Sequence, residues 1–502
     1  MSISYLELLH LAAPEAIIVL TALIVLTIGL VTRRGKAADA PASTLTVCLF
    51  VAALGLAIAA AMIVGLPLHA TLFHGMLVIS RFNSLFKAII LVLAFFTLLL
   101  VRAEHSLPHK GEYLAMILLA TVGLMLLVGS EELLMIFIGL ELTGLSLYVL
   151  TAFDKASQPS AEAGLKYFLF GSMASAFTLF GLSIIYGLTG TTALAAIGLR
   201  LANPAVPALL FAGIVMTLVG FAFKIAAAPF HLWAPDAYQG APVSTAAFIA
   251  SGSKVASFVV LGKILLIGFG SVHGSADWHA MIAGWMPILA ILSALSILVG
   301  NLVALVQKNV RRLLAYSAVA HGGYTLLGLI AGGRAGFAAT LFYTTIYAIT
   351  LVGAFGVVGF VRRETGGDDL ANFAGLRARS PLLAGCMAIF MLSLAGLPPL
   401  AGFFGKFYLF SSALRAGENR GLLWLVALAL FGSLISLYYY LIVLKVIFLS
   451  EDARTVPAAA RYDLEARADY LPRLALLVLA GAVFLLGIMP ETLVARILAS
   501  FT

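Results

Sequence analysis

Long apolar stretches recur along the whole chain and are separated by short polar segments. About fourteen of them are long enough for a helix to cross roughly 30 Å of hydrocarbon, which takes about 20 residues. They lie near residues 11–32, 43–64, 80–101, 113–129, 133–153, 161–188, 206–238, 242–267, 281–305, 310–331, 336–361, 380–416, 421–448 and 470–489. The pattern predicts an all-α polytopic membrane protein with about fourteen transmembrane helices.

Composition and charge support a membrane protein. The chain has 502 residues, of which 62% are hydrophobic and only 10% charged, which excludes an ordinary soluble domain. Loops that follow the odd-numbered stretches carry most of the Lys and Arg, and the loops between them carry few. The positive-inside rule therefore predicts that both termini lie on the outer side of a bacterial inner membrane. The net charge of +8 then reflects topology, and we expect no binding of nucleic acid.

Several other classes of site are disfavoured by the sequence. Residues 1–10 have no basic n-region and the first apolar stretch has no clear cleavage site, so we expect a retained helix. Cys48 and Cys386 are far apart, which argues against an iron-sulfur or zinc framework supplied by this chain. The segment from Leu449 to Pro472 is interpreted as a solvated loop or, because of Tyr462 and Leu464, as a surface-lying piece.

Two blocks of five apolar stretches can be aligned with each other. We predict a three-helix segment at 1–112, a first repeat at 113–268, an inverted second repeat at 281–448, and a cytoplasmic-side loop with a final helix at 449–502. Five crossings are an odd number, so the second block enters the membrane in the opposite direction, as in inverted-repeat transporters. The fourth stretch of each block is unusually long and contains proline, at Pro229 and at Pro398-Pro399, which predicts a broken helix. Broken helices need water or protein around them, not lipid.

Three lysines lie in the middle of apolar stretches, beside these helix-breaking residues. They are Lys224, Lys254 and Lys406, and Glu141 is a carboxylate at similar depth. Ionisable residues are costly inside a membrane and usually functional there. Burial favours the neutral amine and a nearby carboxylate favours the ammonium, so the set is suited to taking up and releasing protons. We predict proton translocation along these four residues, with snorkelling or static ion pairs as the alternative.

Other polar residues are weaker candidates for the same path. His231 and His321 are able to relay protons near neutral pH, but a lone histidine is equally typical of a packed core. Lys263 lies nearer the end of its stretch, where it either extends the path or snorkels to the membrane surface. The aromatic run Tyr438-Tyr439-Tyr440 is interpreted as packing.

The motifs around these residues carry a family resemblance. They are Gly139-Leu-Glu141-Leu, the run from Phe223-Lys224 through Pro229-Phe-His231-Leu-Trp233-Ala-Pro235-Asp236 to Pro242, Ser253-Lys254, Arg312-Leu-Leu-Ala-Tyr316-Ser317, and Leu394 to Lys406. With them the chain resembles the antiporter-like membrane subunits of respiratory complex I, an NADH:quinone oxidoreductase. It is most similar to the subunit N type, to which mitochondrial NADH dehydrogenase subunit 2 is related. A lysine at 406, where subunit M has glutamate, and a chain too short for the lateral helix of subunit L favour that branch.

The resemblance implies a function and a set of partners. The residues that match Glu141, Lys224, Lys254 and Lys406 form the charged proton axis of the family. The implied partners are the other membrane subunits of the complex, both antiporter-like and small, within the lipid bilayer. NADH, FMN, iron-sulfur clusters and quinone belong to other subunits, and this chain is expected to bind no cofactor and to do no redox chemistry alone. A subunit of a multisubunit Na+/H+ antiporter or of a membrane-bound hydrogenase, a free-standing carrier and a passive scaffold remain as alternatives.

Overall fold

The structure is a computed structural model that describes residues 5–32, 42–104, 107, 109–202, 207–416, 421–450 and 470–501. The interpretation of Tyr462 and Leu464 as part of a surface-lying segment falls outside these residues. Within the described residues, twelve helices are long and apolar enough to cross a membrane. The chain is therefore a mostly helical, multi-pass membrane protein, as the apolar pattern predicts.

The helices follow the predicted stretches closely. In the first half they are α1 (Tyr5–Leu11), α2 (Ala13–Thr32), α3 (Ala42–Val64), α4 (Arg81–Val101), α5 (Lys110–Gly129), α6 (Leu133–Thr151), α7 (Gln158–Thr189), α8 (Leu194–Arg200), α9 (Ala208–Lys224), α10 (Trp233–Gly240), α11 (Val243–Phe248) and α12 (Lys254–Lys263). In the second half they are α13 (Trp285–Ala304), α14 (Val310–Ala331), α15 (Gly333–Thr365), α16 (Leu376–Arg379), α17 (Pro381–Ala395), α18 (Ala401–Arg415), α19 (Leu423–Leu449), α20 (Tyr470–Ile488) and α21 (Glu491–Ala499).

Two short antiparallel hairpins add to the predicted all-α fold. β1 (His69–Leu72) pairs with β2 (Leu77–Ser80) in the register His69 to Ser80. β3 (Ser275–Ala276) pairs with β4 (Met281–Ile282). Both hairpins lie in connections between membrane-crossing helices, where polar backbone groups must find partners outside the helical ladder.

The predicted helix breaks are present. The stretch predicted at 206–238 consists of α9 and α10 with a non-helical connection between them. The stretch predicted at 380–416 is divided into α17 and α18. A third long span, 243–268, is continuous but contains two π-helical segments, Ile249–Ser253 and Ile264–Gly268, on either side of α12.

The spans differ strongly in how much of their surface is covered by protein. The span made of α11, α12 and the π-helical segments is almost entirely buried, as are α14 and α15. In α2 and α7, by contrast, only about a third of the most apolar segment of the helix is buried inside the protein. The three covered spans form the centre of the molecule, and they carry Lys254 and His321.

Candidate functional site

Lys224 and Glu141 face the same small cavity. Lys224 is the last residue of α9, and its Nζ lies 6.0 Å from the centre of the Tyr148 ring. Glu141 on α6 accepts a hydrogen bond from the hydroxyl of Ser175 on α7. All four residues line a cavity of about 20 Å³, which exceeds the roughly 10–15 Å³ that one water needs.

Lys224 and Glu141 line this cavity together without forming a direct ion pair. Among the ion pairs of the described residues, none within 4.0 Å joins Lys224 to Glu141. The cavity between them has room for a bridging water, and both groups are polar enough to hold one. A proton can pass between two such groups through one water without a direct contact.

Side-chain contacts hold the first helix break in place. The indole N–H of Trp233, at the start of α10, donates to the carbonyl of Phe223 at 3.0 Å. The backbone N–H of Ala228 donates to the hydroxyl of Ser296 on α13 at 2.9 Å. Backbone groups that the interrupted helix leaves without a ladder partner are thus satisfied by the protein. Lys224 is fixed at the end of a helix that the surrounding spans support.

Lys254 lies at the centre of the covered spans. It begins α12 directly after a π-helical segment, a feature that is frequent at functional sites. Its Nζ donates to the backbone carbonyl of Ala318 on α14 at 2.6 Å and lies 5.3 Å from the ring centre of Tyr347 on α15. The side chain is 2% exposed, and the groups that contact it are neutral.

His321 on α14 sits in a cage of tyrosines. Its Nδ1 is hydrogen-bonded to the hydroxyl of Tyr343 at 2.6 Å, and its Nε2 to that of Tyr440 at 3.1 Å. The rings of Tyr347 and Tyr324 lie 4.9 Å and 5.6 Å from the imidazole centre. Both ring nitrogens thus have a hydroxyl partner that can either donate or accept.

Lys406 on α18 reaches back across the second helix break. Its Nζ donates to the carbonyl of Ala395, the last residue of α17, at 3.0 Å and to the hydroxyl of Ser433 on α19 at 2.9 Å. It also lies 5.3 Å from the ring centre of Tyr324. The side chain is buried. The lysine therefore satisfies a carbonyl that Pro399 cannot engage.

Shared neighbours connect Lys254 to Lys406. Tyr347 contacts both Lys254 and His321, and Tyr324 contacts both His321 and Lys406. His321, one of the weaker sequence candidates, is thus the contact point between two of the stronger ones. Lys224 belongs to the separate group around Glu141, on α9, which packs against α12.

The other two weaker candidates lie outside this chain of contacts. His231 is in the connection between α9 and α10, and its buried Nδ1 has no hydrogen-bond partner among the described residues. Lys263 is the last residue of α12. It is 3% exposed, so it does not snorkel to the surface; instead it donates to Asn83 on α4 and to the carbonyl of Val128 on α5.

Sequence reasoning missed the hydroxyl groups that contact the candidate residues. The aromatic run around Tyr440 predicts packing alone, but the hydroxyl of Tyr440 is hydrogen-bonded to both Ser317 and His321. In the same run Tyr438 is exposed, and Tyr439 is buried and donates to Asn301. Only the three-dimensional arrangement distinguishes these adjacent tyrosines, because side-chain direction decides which of them faces the site.

Ion pairs concentrate where the spans end. Asp368, in the connection after α15, accepts hydrogen bonds from Arg311, from Arg362 at 3.0 Å and from Asn309 at 2.6 Å. Burial disfavours the charged carboxylate, but the arginine charges and these hydrogen bonds outweigh it and hold the pKa of Asp368 below its ordinary value. This cluster joins α14 to the end of α15.

A second cluster at span ends is more exposed. Asp236 on α10 accepts from Arg312 at 2.7 Å and from Lys166 at 2.8 Å, and Lys166 also pairs with Glu162 at 2.6 Å. Lys166 therefore has permanent carboxylate partners, unlike the lysines of the candidate axis. Within the described ranges, no group of three or more His, Cys, Asp or Glu side chains is arranged to hold a metal ion.

Solved structures with this fold include respiratory assemblies. A chain of respiratory complex I from Thermus thermophilus with bound aureothin superposes with a TM-score of 0.75 at 31% identity, covering 96% of this chain and 98% of that chain. A chain of the membrane-bound sulfane sulfur reductase, an archaeal respiratory membrane complex, gives a TM-score of 0.78 at 26% identity and covers 97% of both chains.

Sequence relatives extend over nearly the whole chain. NADH-quinone oxidoreductase subunit N 2 of Acidobacterium capsulatum is 45% identical over 98% of both chains. NADH-quinone oxidoreductase subunit N of Moorella thermoacetica is 39% identical over 88% of this chain and 89% of its own. Residues 130–436 match the family model described as NADH:quinone oxidoreductase/Mrp antiporter, transmembrane. The chain therefore belongs to the family of transmembrane subunits shared by NADH:quinone oxidoreductases and Mrp antiporters, and its predicted resemblance to subunit N is confirmed.

Proposed function

We propose that the chain is a proton-translocating membrane subunit of an NADH:quinone oxidoreductase, of the subunit N type. Protons move along an axis of Glu141, Lys224, Lys254 and Lys406, with His321 between the last two. One observation carries the proposal: Lys254 and Lys406 are buried, yet their hydrogen-bond partners are carbonyls and a hydroxyl. An amine held by neutral groups can lose and regain a proton, whereas a carboxylate in direct contact favours the charged amine.

The proposed architecture has fourteen crossings in two inverted repeats. The twelve long apolar helices supply twelve crossings, and the broken pairs α9 with α10 and α17 with α18 supply two more. The repeats are residues 113–268 and 281–448, with the three-helix segment 1–112 before them and 449–502 after them. In support, the break follows Lys224 in one repeat and precedes Lys406 in the other, as opposite insertion requires.

We place the protein in a bacterial inner membrane with both termini on the outer side. The distribution of Lys and Arg among alternate loops supports this orientation. The proposed partners are neighbouring antiporter-like subunits and small membrane subunits of the same complex. NADH, FMN, iron-sulfur clusters and quinone are assigned to other subunits, whose redox chemistry reaches this chain through conformation and electrostatics.

The decisive experiment replaces axis lysines in the native complex. We expect Lys224→Ala to lower proton pumping per NADH oxidised by at least tenfold in proteoliposomes, with normal assembly. At Lys406, rescue by glutamate but not by arginine indicates a titrating group, since arginine does not release its proton. Lys445, near the end of α19, provides a matched control, and Lys445→Ala is expected to pump normally. Normal pumping by Lys224→Ala contradicts the axis and favours a passive scaffold.

The second candidate function is that of a subunit of a Na+/H+ antiporter or of a membrane-bound hydrogenase, because the family also includes antiporter subunits. Purification of the native complex separates these possibilities. A complex I subunit co-purifies with flavin and iron-sulfur absorbance and with NADH:quinone activity. A complex without that absorbance contradicts the complex I assignment and leaves the proton axis to be tested by the lysine variants.

A further inference from the structure

Lys263 is the best-coordinated lysine among the candidates, although it lies outside the axis. Its Nζ donates to the side-chain oxygen of Asn83 at 2.6 Å and to the backbone carbonyl of Val128 at 2.8 Å. The carbonyl of Ser130 lies 3.4 Å away, and Glu131 Oε1 lies 3.3 Å away. Val128 and Ser130 belong to the carboxyl end of α5, the negative end of the helix dipole. The site is therefore built to hold a positive charge.

This site opens onto a cleft at the ends of the spans. The cleft has a volume of about 1120 Å³, and its lining includes Lys263, Glu131, Arg81, Arg334 and Phe82. Lys263 is 3% exposed, whereas the side chain of Glu131 is 32% exposed. The Glu131 carboxylate thus lies between the buried Lys263 amine and the cleft, which is large enough to hold many waters.

Lys263 and Lys254 are different sites on one helix. They are nine residues apart, which in an α-helix corresponds to about 13.5 Å of rise and about two and a half turns, so the two side chains point to opposite sides of the helix. In agreement, Lys254 contacts α14 and Lys263 contacts α4 and α5. The π-helical segments before Lys254 and after Lys263 mark both ends of α12. Lys263 therefore lies near the end of this span that faces the cleft.

The neighbouring lysine Lys87 provides a contrast, because its carboxylate partner is buried. Lys87, one turn after Asn83 on α4, forms an ion pair with Glu15 at 2.6 Å, and both side chains are largely buried. That pair is neutral overall and has no exposed carboxylate. The partner of Lys263, by contrast, reaches the cleft.

We propose that Asn83, Lys263 and Glu131 form a port through which protons pass between the interior of the protein and the outer side of the membrane. The inference rests on the proton translocation proposed above. In the outward step an N–H bond of the Lys263 ammonium breaks and an O–H bond forms on the Glu131 carboxylate. Glu131 then gives that proton to water in the cleft, and the neutral amine accepts the next proton from the interior. Asn83 and the end of α5 orient the amine and stabilise its charged form.

The test is chemical replacement of the amine at position 263. Lys263→Cys is made in the native complex together with C48A and C386A, which remove the buried native thiols. We expect pumping per NADH oxidised to fall at least tenfold. Aminoethyl methanethiosulfonate adds an amine through a disulfide and is expected to restore at least half of the pumping. Methyl methanethiosulfonate, which adds no amine, is expected to restore none.

Accessibility is measured on the same protein. In spheroplasts, a membrane-impermeant sulfonated thiosulfonate is expected to label Lys263→Cys from the outer side, as detected by the mass of this subunit. Lys254→Cys, nine residues away and buried among the central spans, is expected to stay unlabelled. Absence of labelling at position 263, or full labelling by the aminoethyl reagent without recovery of pumping, overturns the port.

Glu131→Gln provides a second test if Lys263→Cys fails to assemble. We expect at least a fivefold loss of pumping, with a changed dependence on the pH of the outer side. The control is Glu132→Gln, because Glu132 caps α6 through the N–H of Met135 at 2.7 Å and does not contact Lys263. Undiminished pumping by Glu131→Gln overturns the port. If Lys224→Ala also pumps normally, the proposed function fails as well; if Lys224→Ala alone is impaired, only the port fails.

Discussion

The partner of a buried lysine decides whether it can titrate. Lys87, which is buried, is paired with Glu15, and Lys166, which is partly exposed, is paired with Glu162. A carboxylate at such distances favours the charged amine. Lys254 is instead held by a carbonyl. Sequence position alone does not separate these cases, because all of these lysines occur in apolar stretches.

Removing a tyrosine hydroxyl next to His321 tests the link between the two halves of the axis. We expect Tyr343→Phe to lower proton pumping about tenfold or more, because positioned proton-transfer groups contribute about 10²–10⁴ in rate. The phenylalanine ring preserves the packing, and only the hydrogen bond to Nδ1 is lost. Pumping and NADH oxidation are measured in proteoliposomes. Tyr439→Phe, whose hydroxyl bonds Asn301, is the buried control, and equal losses in both variants would contradict a specific role.

The sequence predicted buried charges better than it predicted their hydroxyl partners. Lys224, Lys254 and Lys406 stand out because an ionisable group in an apolar stretch is energetically anomalous. Tyr440 and Ser175 do not, since tyrosine and serine are ordinary residues in membrane helices. Their role depends on which neighbouring helix they face, and a single sequence does not contain that information.

Helix breaks were predictable because proline acts locally. Pro229 and Pro399 remove hydrogen bonds to residues four positions earlier in the chain. The manner in which the freed groups are satisfied was not predictable. The carbonyl of Ala395 accepts from Lys406, and the N–H of Ala228 donates to Ser296 of α13. These partners come from distant or adjacent helices, so they depend on tertiary packing.

Close packing of α5 against α6 depends on a glycine. A Cβ added at Gly123 would lie 2.5 Å from the hydroxyl oxygen and 2.7 Å from the backbone nitrogen of Thr143. We expect Gly123→Ala to destabilise the protein by about 1–3 kcal/mol, as overpacking typically does. The midpoint of thermal unfolding of the purified complex measures this. Gly385→Ala in α17, where nothing lies within 4 Å of the added Cβ, is the control and should leave the midpoint unchanged or slightly raised.

The cluster around Asp368 stabilises the contact between α14 and the end of α15. We expect Asp368→Asn to cost about 3 kcal/mol, because it leaves the buried Arg311 without its anionic partner. Glu364→Gln is the control: this carboxylate pairs with Arg379 but is 43% exposed, and an exposed pair contributes about 0–1 kcal/mol. Heat inactivation of the complex compares the two variants.

The same cluster has a defined dependence on pH. Since the pKa of Asp368 is lowered in the folded protein, its contribution is complete above the ordinary carboxyl pKa of about 3.9. It is lost only as the pH falls through the lowered value. The stability difference between the wild type and Asp368→Asn should therefore stay constant from about pH 8 to pH 5 and shrink in stronger acid. A difference that shrinks already near neutral pH would contradict this assignment.

At the scale of the whole molecule, hydropathy predicts which segments cross the membrane. It does not predict whether a given span lies in the centre or at the edge of the fold. Lipid and protein interior are both apolar, so the largely buried helix α15 and the largely uncovered helix α7 have nearly the same mean hydropathy, 1.9 and 1.8. The central spans are distinguished by the polar groups they bury, such as Lys254 and His321. The candidate residues were predictable because a charged residue in an apolar stretch is visible in the sequence. The packing that places their spans in the centre of the fold is not visible there.

A single route through the molecule predicts a specific pattern in combined variants. Lys224 and Lys406 lie on different broken helices, and the contacts from Lys254 through His321 lead toward the second. If protons pass both lysines in series, either alanine variant interrupts the same flow. The double variant Lys224→Ala with Lys406→Ala should then pump about as poorly as the worse single variant, since residues that act as a unit are not additive. Two independent half-routes would instead give a double variant much worse than either single one. Pumping per NADH oxidised, measured for all four proteins in proteoliposomes, separates the two arrangements.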